Sequence, residues 1–317
     1  MTYIGRLAPS PTGAQHIGNA RTYLVAWLHA RTNQGKLLLR IEDLDTPRTK
    51  MGAETLIFED LTWLSLDWDR DSSSLGFIRQ SDRTDRYAEV LDQLKSRELV
   101  YPCICTRSEI EEAASAPHET FLDGTVYNGK CESNCVADAL SFDRQGIKYT
   151  WRFRFPRLNE VTWMDQFAGT QSLIPSQSLG DFVVARNYGP VAYQLAVVVD
   201  DHDSGINHVV RGNDLIFSTY RQLAIYQAMQ WVPPNWIHLP LVVGNDGRRL
   251  AKRHGDSRLS YYRDVGAKPE ELLGAIAQSL GLMSSKTPIN TKQILELAQS
   301  NPDWLRNIPV APFQWIV

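Results

Sequence analysis

Apolar positions in the first hundred residues switch between strand and helix spacing. Thr2 to Arg6 predicts a short strand, which runs into a loop rich in Pro, Ser and Gly. Helical spacing follows from about Ala20 to Thr32, with Leu24, Val25, Trp27 and Leu28 on one face. Leu37 to Ile41 is a continuous apolar run, predicting a buried strand, and it ends on the carboxylates of Glu42, Asp43 and Asp45. Strand, polar loop, helix, strand is a βαβ unit. Such units bind ligands beyond the carboxyl ends of their strands, where helix N-termini offer free N–H groups to phosphate. Ala53 to Leu64 continues as an amphipathic helix through Leu56, Ile57, Leu61 and Leu64, closed by a polar turn from Asp67 to Ser74. Thr84 to Glu98 repeats the helical period with Tyr87, Val90, Leu91 and Leu94.

The pattern then changes. Alternation at Tyr149-Thr-Trp-Arg-Phe-Arg-Phe155 and Val161-Thr-Trp163 predicts antiparallel strands. Parallel-sheet signals return at Phe182–Ala185 and Ala196–Asp201; His208–Asp214 follows, and then a helix is expected from about Ser218 to Gln230. After Pro240–Gly244 the chain reads as helical, with Leu272, Leu273, Ile276 and Leu280 on one face. One α/β domain interrupted near 101–180 accounts for this order.

Composition narrows the picture only a little. Apolar and charged shares of 43% and 22% are ordinary for a globular protein, and a net charge of −3 gives no global positive field. No apolar run reaches the roughly 20 residues that span a bilayer. The N-terminus lacks a basic segment followed by an apolar one, so a cytoplasmic protein with no membrane partner is expected. All four cysteines fall between 103 and 135, at Cys103, Cys105, Cys131 and Cys135. Without an export signal, such clustering argues for a metal, with tetrahedral zinc the fit to two short thiolate clusters. His118 and Tyr127 are further donors, and the spacing leaves the fourth ligand open.

Two loops carry candidate chemistry. The one from Ser10 to Asn19 is longer than most βα connections; it holds Gly13 and Gly18 for close backbone approach and an imidazole, His16, that can hydrogen-bond phosphate. The other, Arg248-Arg-Leu-Ala-Lys-Arg-His-Gly255, is the most basic stretch. By composition it is a solvated loop after the turn Gly244–Gly247; functionally, its Lys252 could stabilise phosphate charge during nucleotidyl transfer.

Taken together, these motifs resemble the glutamyl branch of the class I aminoacyl-tRNA synthetases. Arg6-Leu-Ala-Pro-Ser-Pro-Thr-Gly13 with His16-Ile-Gly-Asn19 is similar to that family's opening and HIGH signature. Arg40-Ile-Glu-Asp-Leu-Asp45, Val198-Val-Asp-Asp-His202, His208-Val-Val-Arg-Gly212 and Leu250-Ala-Lys-Arg-His-Gly255 (the KMSKS position) follow in the family's order. Within the branch the chain looks like the short paralogues that act on queuosine. About 60 residues follow the Lys252 loop, too few for a large anticodon-binding region. Asp43-Leu-Asp-Thr-Pro-Arg48 and the ligand spacing also resemble theirs. Asn19 replaces the signature's second His, Arg249 and Ala251 replace the Lys and Ser of KMSKS, the gap from Cys105 to Tyr127 is long, and Cys135 is an extra thiol.

The resemblance implies a fold class: α/β, with a Rossmann-type parallel-sheet catalytic domain from 1–100 and 181–245. It adds an inserted zinc-containing α+β subdomain at 101–180 and a helical C-terminal part at 246–317. It also implies a site. Arg6 and Arg211 would bind carboxylates of L-glutamate, Glu42 its ammonium, with Ser10 and Tyr193 supplying hydroxyls and Ala8 lining the pocket. His16, Gly18, Asn19 and Lys252 would act on ATP with Mg²⁺, and Cys103, Cys105, Tyr127 and Cys131 would hold one Zn²⁺. The implied activity is ligation by a monomer: glutamyl-AMP formed without tRNA, then glutamate transferred to queuosine at the wobble position in the anticodon stem-loop of tRNA(Asp). A truncated glutamyl-tRNA synthetase and a non-catalytic tRNA-binding relative are the alternatives.

Overall fold

Leu37, Leu38, Leu39 and Ile41 are all buried, as a strand covered on both faces requires. In the computed structural model, which describes residues 2–45, 49–71, 75–113, 126–157, 160–248, 250 and 256–315, they belong to a parallel sheet. Strand β1 (Ile4–Leu7) pairs with β2 (Lys36–Ile41), placing Arg6 opposite Leu38, and β2 pairs with β3 (Ile78–Arg79). Helix α1 (Ile17–Thr32) links β1 to β2, starting three residues earlier than apolar spacing predicts because His16 caps it. Helix α2 (Ala53–Trp63) buries Ile57 and Leu61 with Leu64 just beyond, while Leu56, expected on the same face, is exposed. Helix α3 (Thr84–Ser96) buries the four predicted apolar residues.

The middle of the chain is mixed. Strands β4 (Val100–Cys103) and β5 (Thr150–Phe153) pair antiparallel, with the short helices α4 (Arg107–Ala113) and α5 (Asp138–Arg144) between them in sequence. The hairpin β6 (Val161–Asp165) and β7 (Gly169–Leu173) follows, then α6 (Pro175–Ser178) and β8 (Phe182–Arg186). Strand β8 pairs antiparallel with β5, so Phe182–Ala185 does not return the chain to the parallel sheet as its apolar run suggests.

A second departure follows at once. Ala196–Asp201, expected as a strand, lies inside helix α7 (Tyr193–Asp203). A continuous apolar run carries no period, and here every residue from Leu195 to Asp201 is buried, so the helix has no polar face to betray it. Strand β9 (His208–Gly212), helix α8 (Ile216–Met229) and strand β10 (Asn235–Leu239) form a second βαβ unit with five parallel register pairs. Strand β9 lies beside β1, where Asn207 N–H donates to the Ile4 carbonyl at 3.0 Å. On its other side β10 meets β6, so residues 161–173, expected within the insertion, extend the parallel sheet instead. Helices α9 (Leu259–Asp264), α10 (Pro269–Ser279) and α11 (Thr291–Ser300) follow, and β12 (Phe313–Gln314) pairs with β11 (Val242–Val243). Their buried Leu272, Leu273, Ile276 and Leu280 join the same core as α1. Among the described residues no helix is long and apolar enough to cross a membrane.

Candidate functional site

The ends of β1, β2, β9 and β10 open on one cleft of about 750 Å³. Every residue that the sequence resemblance assigns to glutamate or ATP lines it, apart from Lys252: Arg6, Ala8, Ser10, His16, Gly18, Asn19, Glu42, Tyr193 and Arg211. Lys252, with Arg249, Ala251 and His118, lies outside the described residues. The cleft also gathers Thr12, Gln15, Tyr23, Asp214 and Leu241.

The N-terminus of α1 is built by His16. Its Nδ1 accepts the N–H groups of Gly18 (3.0 Å) and Asn19 (3.4 Å), and Asn19 Oδ1 accepts the His16 N–H at 3.1 Å. This reciprocal cap makes Asn19 a helix-capping residue as well as a cleft one. Gly18 is required by packing: a Cβ there would lie 2.9 Å from His16 Cε1. Gly13, by contrast, faces open space, so the protein itself does not demand glycine there. Gln15 hangs between the Ser10 carbonyl (3.3 Å) and the Tyr23 hydroxyl, which donates to it at 2.6 Å, fixing the loop over the cleft.

Charge at the cleft floor is arranged in two contrasting ways. Arg40 is buried among acids: Asp201 at 2.5 Å, Glu42 at 3.0 Å and Asp200 at 3.8 Å. Asp200 in turn accepts from Gln80, Arg83 and Tyr87, tying α7 to α3 and to the residues just before it. Burial pushes the Glu42 carboxyl up, and although Arg40 and Arg6 pull it back, the net shift is upward. Arg6 donates to the Val210 carbonyl at 3.1 Å and sits 3.6 Å from Asp201. Arg211 differs. Its Nε donates to His238 Nε2 at 2.9 Å and its Nη2 to the Thr219 hydroxyl at 2.8 Å and the Leu215 carbonyl at 3.3 Å; among the described residues it has no ion-pair partner. Burial lowers the Arg211 pKa and raises that of Tyr193, whose ring hydroxyl lies in its field. Arg40, Asp201, His238 and its partner Asp165 are buried parts of this floor to which sequence reading gave no role. Arg40 and Asp201 stand inside the quoted motifs, but Asp165 and His238 carry no local signal.

A second cluster lies at the end of β4. The thiols of Cys103, Cys105 and Cys131 are all within 4.8 Å of one another, and the Tyr127 hydroxyl is 3.4 Å from Cys103 Sγ and 3.8 Å from Cys105 Sγ. Zinc–sulfur bonds of about 2.3 Å at tetrahedral angles put ligand atoms roughly 3.8 Å apart. The 3.6 Å between Cys105 and Cys131 suits that geometry, so the donor set fits a tetrahedral ion. Cys135 is exposed and stands outside the cluster, its N–H capped by Asp138. Burial raises the Cys103 thiol pKa, but Tyr127 and Arg152 outweigh it and lower the net value. Burial, reinforced by the neighbouring Cys131 and Cys103 thiols, pushes Cys105 up to about 12.

Residues 4–302 match the family model described as tRNA synthetases class I (E and Q), catalytic domain. The chain is 45% identical over 315 residues to a glutamyl-Q tRNA(Asp) synthetase of Rhodopirellula baltica, covering 95% of this chain and 93% of that protein. It is 42% identical over 275 residues to a glutamate–tRNA ligase 2 of Syntrophus aciditrophicus, there covering 86% of this chain but 56% of the ligase. Among solved structures, a glutamate tRNA ligase from Elizabethkingia meningosepticum in complex with its amino acid superposes with a TM-score of 0.82. It is 26% identical, and the match covers 99% of this chain and 67% of that one.

Proposed function

The chain belongs to the class I tRNA synthetases of the glutamate and glutamine branch, and from that premise we propose that it activates L-glutamate with ATP, without tRNA, and transfers it to queuosine at the wobble position of tRNA(Asp). The observation that carries the activation step is one cleft holding two buried guanidinium groups, a carboxylate and a capped helix N-terminus. Arg211 and Arg6 bind carboxylate as charged donors. Glu42, at the cleft edge of the Arg40 cluster, faces the substrate ammonium. The α1 N-terminus, with the Gly18 backbone and His16, receives phosphate. A glutamate carboxylate oxygen attacks the α-phosphorus, pyrophosphate leaves, and the mixed anhydride glutamyl-AMP remains. A hydroxyl of the acceptor then attacks the acyl carbon and AMP departs.

No side-chain nucleophile is needed: catalysis is positioning together with charge stabilisation, Lys252 acting on the departing phosphates. Mg²⁺ bound with ATP supplies further phosphate neutralisation. Zinc held by Cys103, Cys105, Tyr127 and Cys131 would fix the inserted subdomain beside the site. The queuosine reading is supported by likeness: the chain is 45% identical over 315 residues to a glutamyl-Q tRNA(Asp) synthetase and 42% identical over 275 residues to a glutamate–tRNA ligase 2. The decisive test is glutamate-dependent ATP–pyrophosphate exchange in the absence of any tRNA. Exchange is expected; exchange only on adding tRNA(Glu) would replace this reading with a truncated glutamyl-tRNA synthetase, and none under any condition would mean a non-catalytic relative.

A further inference from the structure

Arg211 is held by a device that the activity itself does not call for. A guanidinium only donates, so the 2.9 Å contact from Arg211 Nε to His238 Nε2 requires that nitrogen to be bare. The single ring proton then sits on Nδ1, which donates to Asp165 Oδ2 at 2.6 Å. Asp165 is fixed in its turn: Oδ1 accepts the N–H groups of Phe167 (2.9 Å), Ala168 (2.6 Å) and His238 itself (3.2 Å). All three side chains are buried.

We propose that Asp165 and His238 form a clamp whose contact with Arg211 is a neutral imidazole, aiming Arg211 at the substrate carboxylate while leaving its positive charge for the ligand. This rests on the reading that Arg211 binds glutamate. The same floor shows the alternative arrangement, since Arg40 is neutralised by Asp201 and Glu42 and keeps no charge for a substrate. Had Arg211 met a carboxylate directly, the substrate would compete with a fixed internal anion. An imidazole between Asp165 and Arg211 transmits orientation and keeps that anion one ring away. Burial keeps the imidazole neutral, with its pKa lowered to about 4, so no second cation is set against Arg211 near neutral pH. Asp165 and His238 are positioning residues, 73 positions apart, on β6 and β10.

The test compares H238E, H238Q, D165N and R211Q in tRNA-free pyrophosphate exchange, with KM for glutamate and for ATP measured separately. H238E places a carboxylate against Arg211 and should raise the glutamate KM at least ~30-fold with the ATP KM little changed. H238Q, a neutral acceptor, should lose far less, and D165N, which frees the tautomer, should fall between. Glutamate KM values within twofold of wild type for both H238E and D165N would overturn the clamp, as would glutamate and ATP KM values rising together. Should the variants fail to fold, ¹⁵N NMR of the wild-type protein still decides. A neutral Nδ1–H imidazole at pH 7 is expected, and an Nε2–H tautomer or an imidazolium would reject it. The underlying reading fails separately: R211Q with an unchanged glutamate KM would remove Arg211 from the pocket whatever His238 does.

Discussion

Two buried arginines, Arg40 and Arg211, far apart in the sequence but on one floor in space, divide the electrostatic work of the cleft. Arg40 is a structural cation locked by three carboxylates, and Arg211 is a cation with only neutral partners among the described residues. Another cation, Lys252, is the residue of the basic loop proposed to meet the phosphates. Lys252→Ala should lower kcat for pyrophosphate exchange by about 10²-fold with the glutamate KM nearly unchanged, because a charge aimed at departing phosphate acts on the transition state. Steady-state kinetics read this directly, and an unaltered kcat would return the loop to a solvated role. The residues of the cleft that sequence made legible share a property. Arg6, Ser10, His16 and Gly18 stand in one continuous strand–loop–helix stretch, where order along the chain mirrors order around the ligand. Asp165 and His238 meet only through the pairing of β6 beside β10, and nothing in either segment announces the other.

At the scale of elements, period was a good guide wherever an element has one wet face. Helices α3 and α10 show this, with the predicted apolar positions buried in both. It failed for α7, whose Val197, Val198 and Val199 favour strands and whose neighbours Asp200 and Asp201 are buried by ion pairs. Tertiary contacts to Arg40 and Arg83 override local preference there. The cysteine spacing illustrates a different limit. It points to a metal, but only folding brings Tyr127 against Cys103 and leaves Cys135 at the surface. Purified protein should therefore contain one zinc per chain by elemental analysis. Cys135→Ser should retain it, and Cys131→Ser should lose it and destabilise β4 and the residues that follow. Loss of metal in Cys135→Ser with retention in Tyr127→Phe would give the fourth position to Cys135.

The whole molecule is knit so that its cleft is assembled from distant parts of the chain. Arg6 from the first βαβ unit donates to Val210 of the second, and Arg40 reaches Asp201 of α7. Arg21 on α1 donates to the Pro240 carbonyl at 2.9 Å and the Ser279 hydroxyl at 3.1 Å, joining the site's helix to the cleft rim and to α10. The antiparallel strands β4, β5 and β8 feed into the same place, since Ala192, the residue before α7, donates its N–H back to Val184. In the proposed reaction a body so tightly tied would hold glutamyl-AMP at one point, and the acceptor would have to present a nucleophilic hydroxyl there. The cyclopentenediol of queuosine offers vicinal hydroxyls, as the terminal ribose of tRNA does, so either would serve the same acyl transfer chemically. Unpaired loop bases are also the part of an RNA that proteins reach most readily. We therefore expect labelled glutamate to appear on tRNA(Asp) from queuosine-containing cells and not on tRNA(Asp) from queuosine-deficient ones. The label should persist on tRNA(Asp) trimmed of its 3′-terminal adenosine, because that ribose is not the proposed acceptor. Labelling of tRNA(Glu) alone, abolished by the same trimming, would place the acyl group at the 3′ end and reject the queuosine assignment while leaving glutamate activation intact.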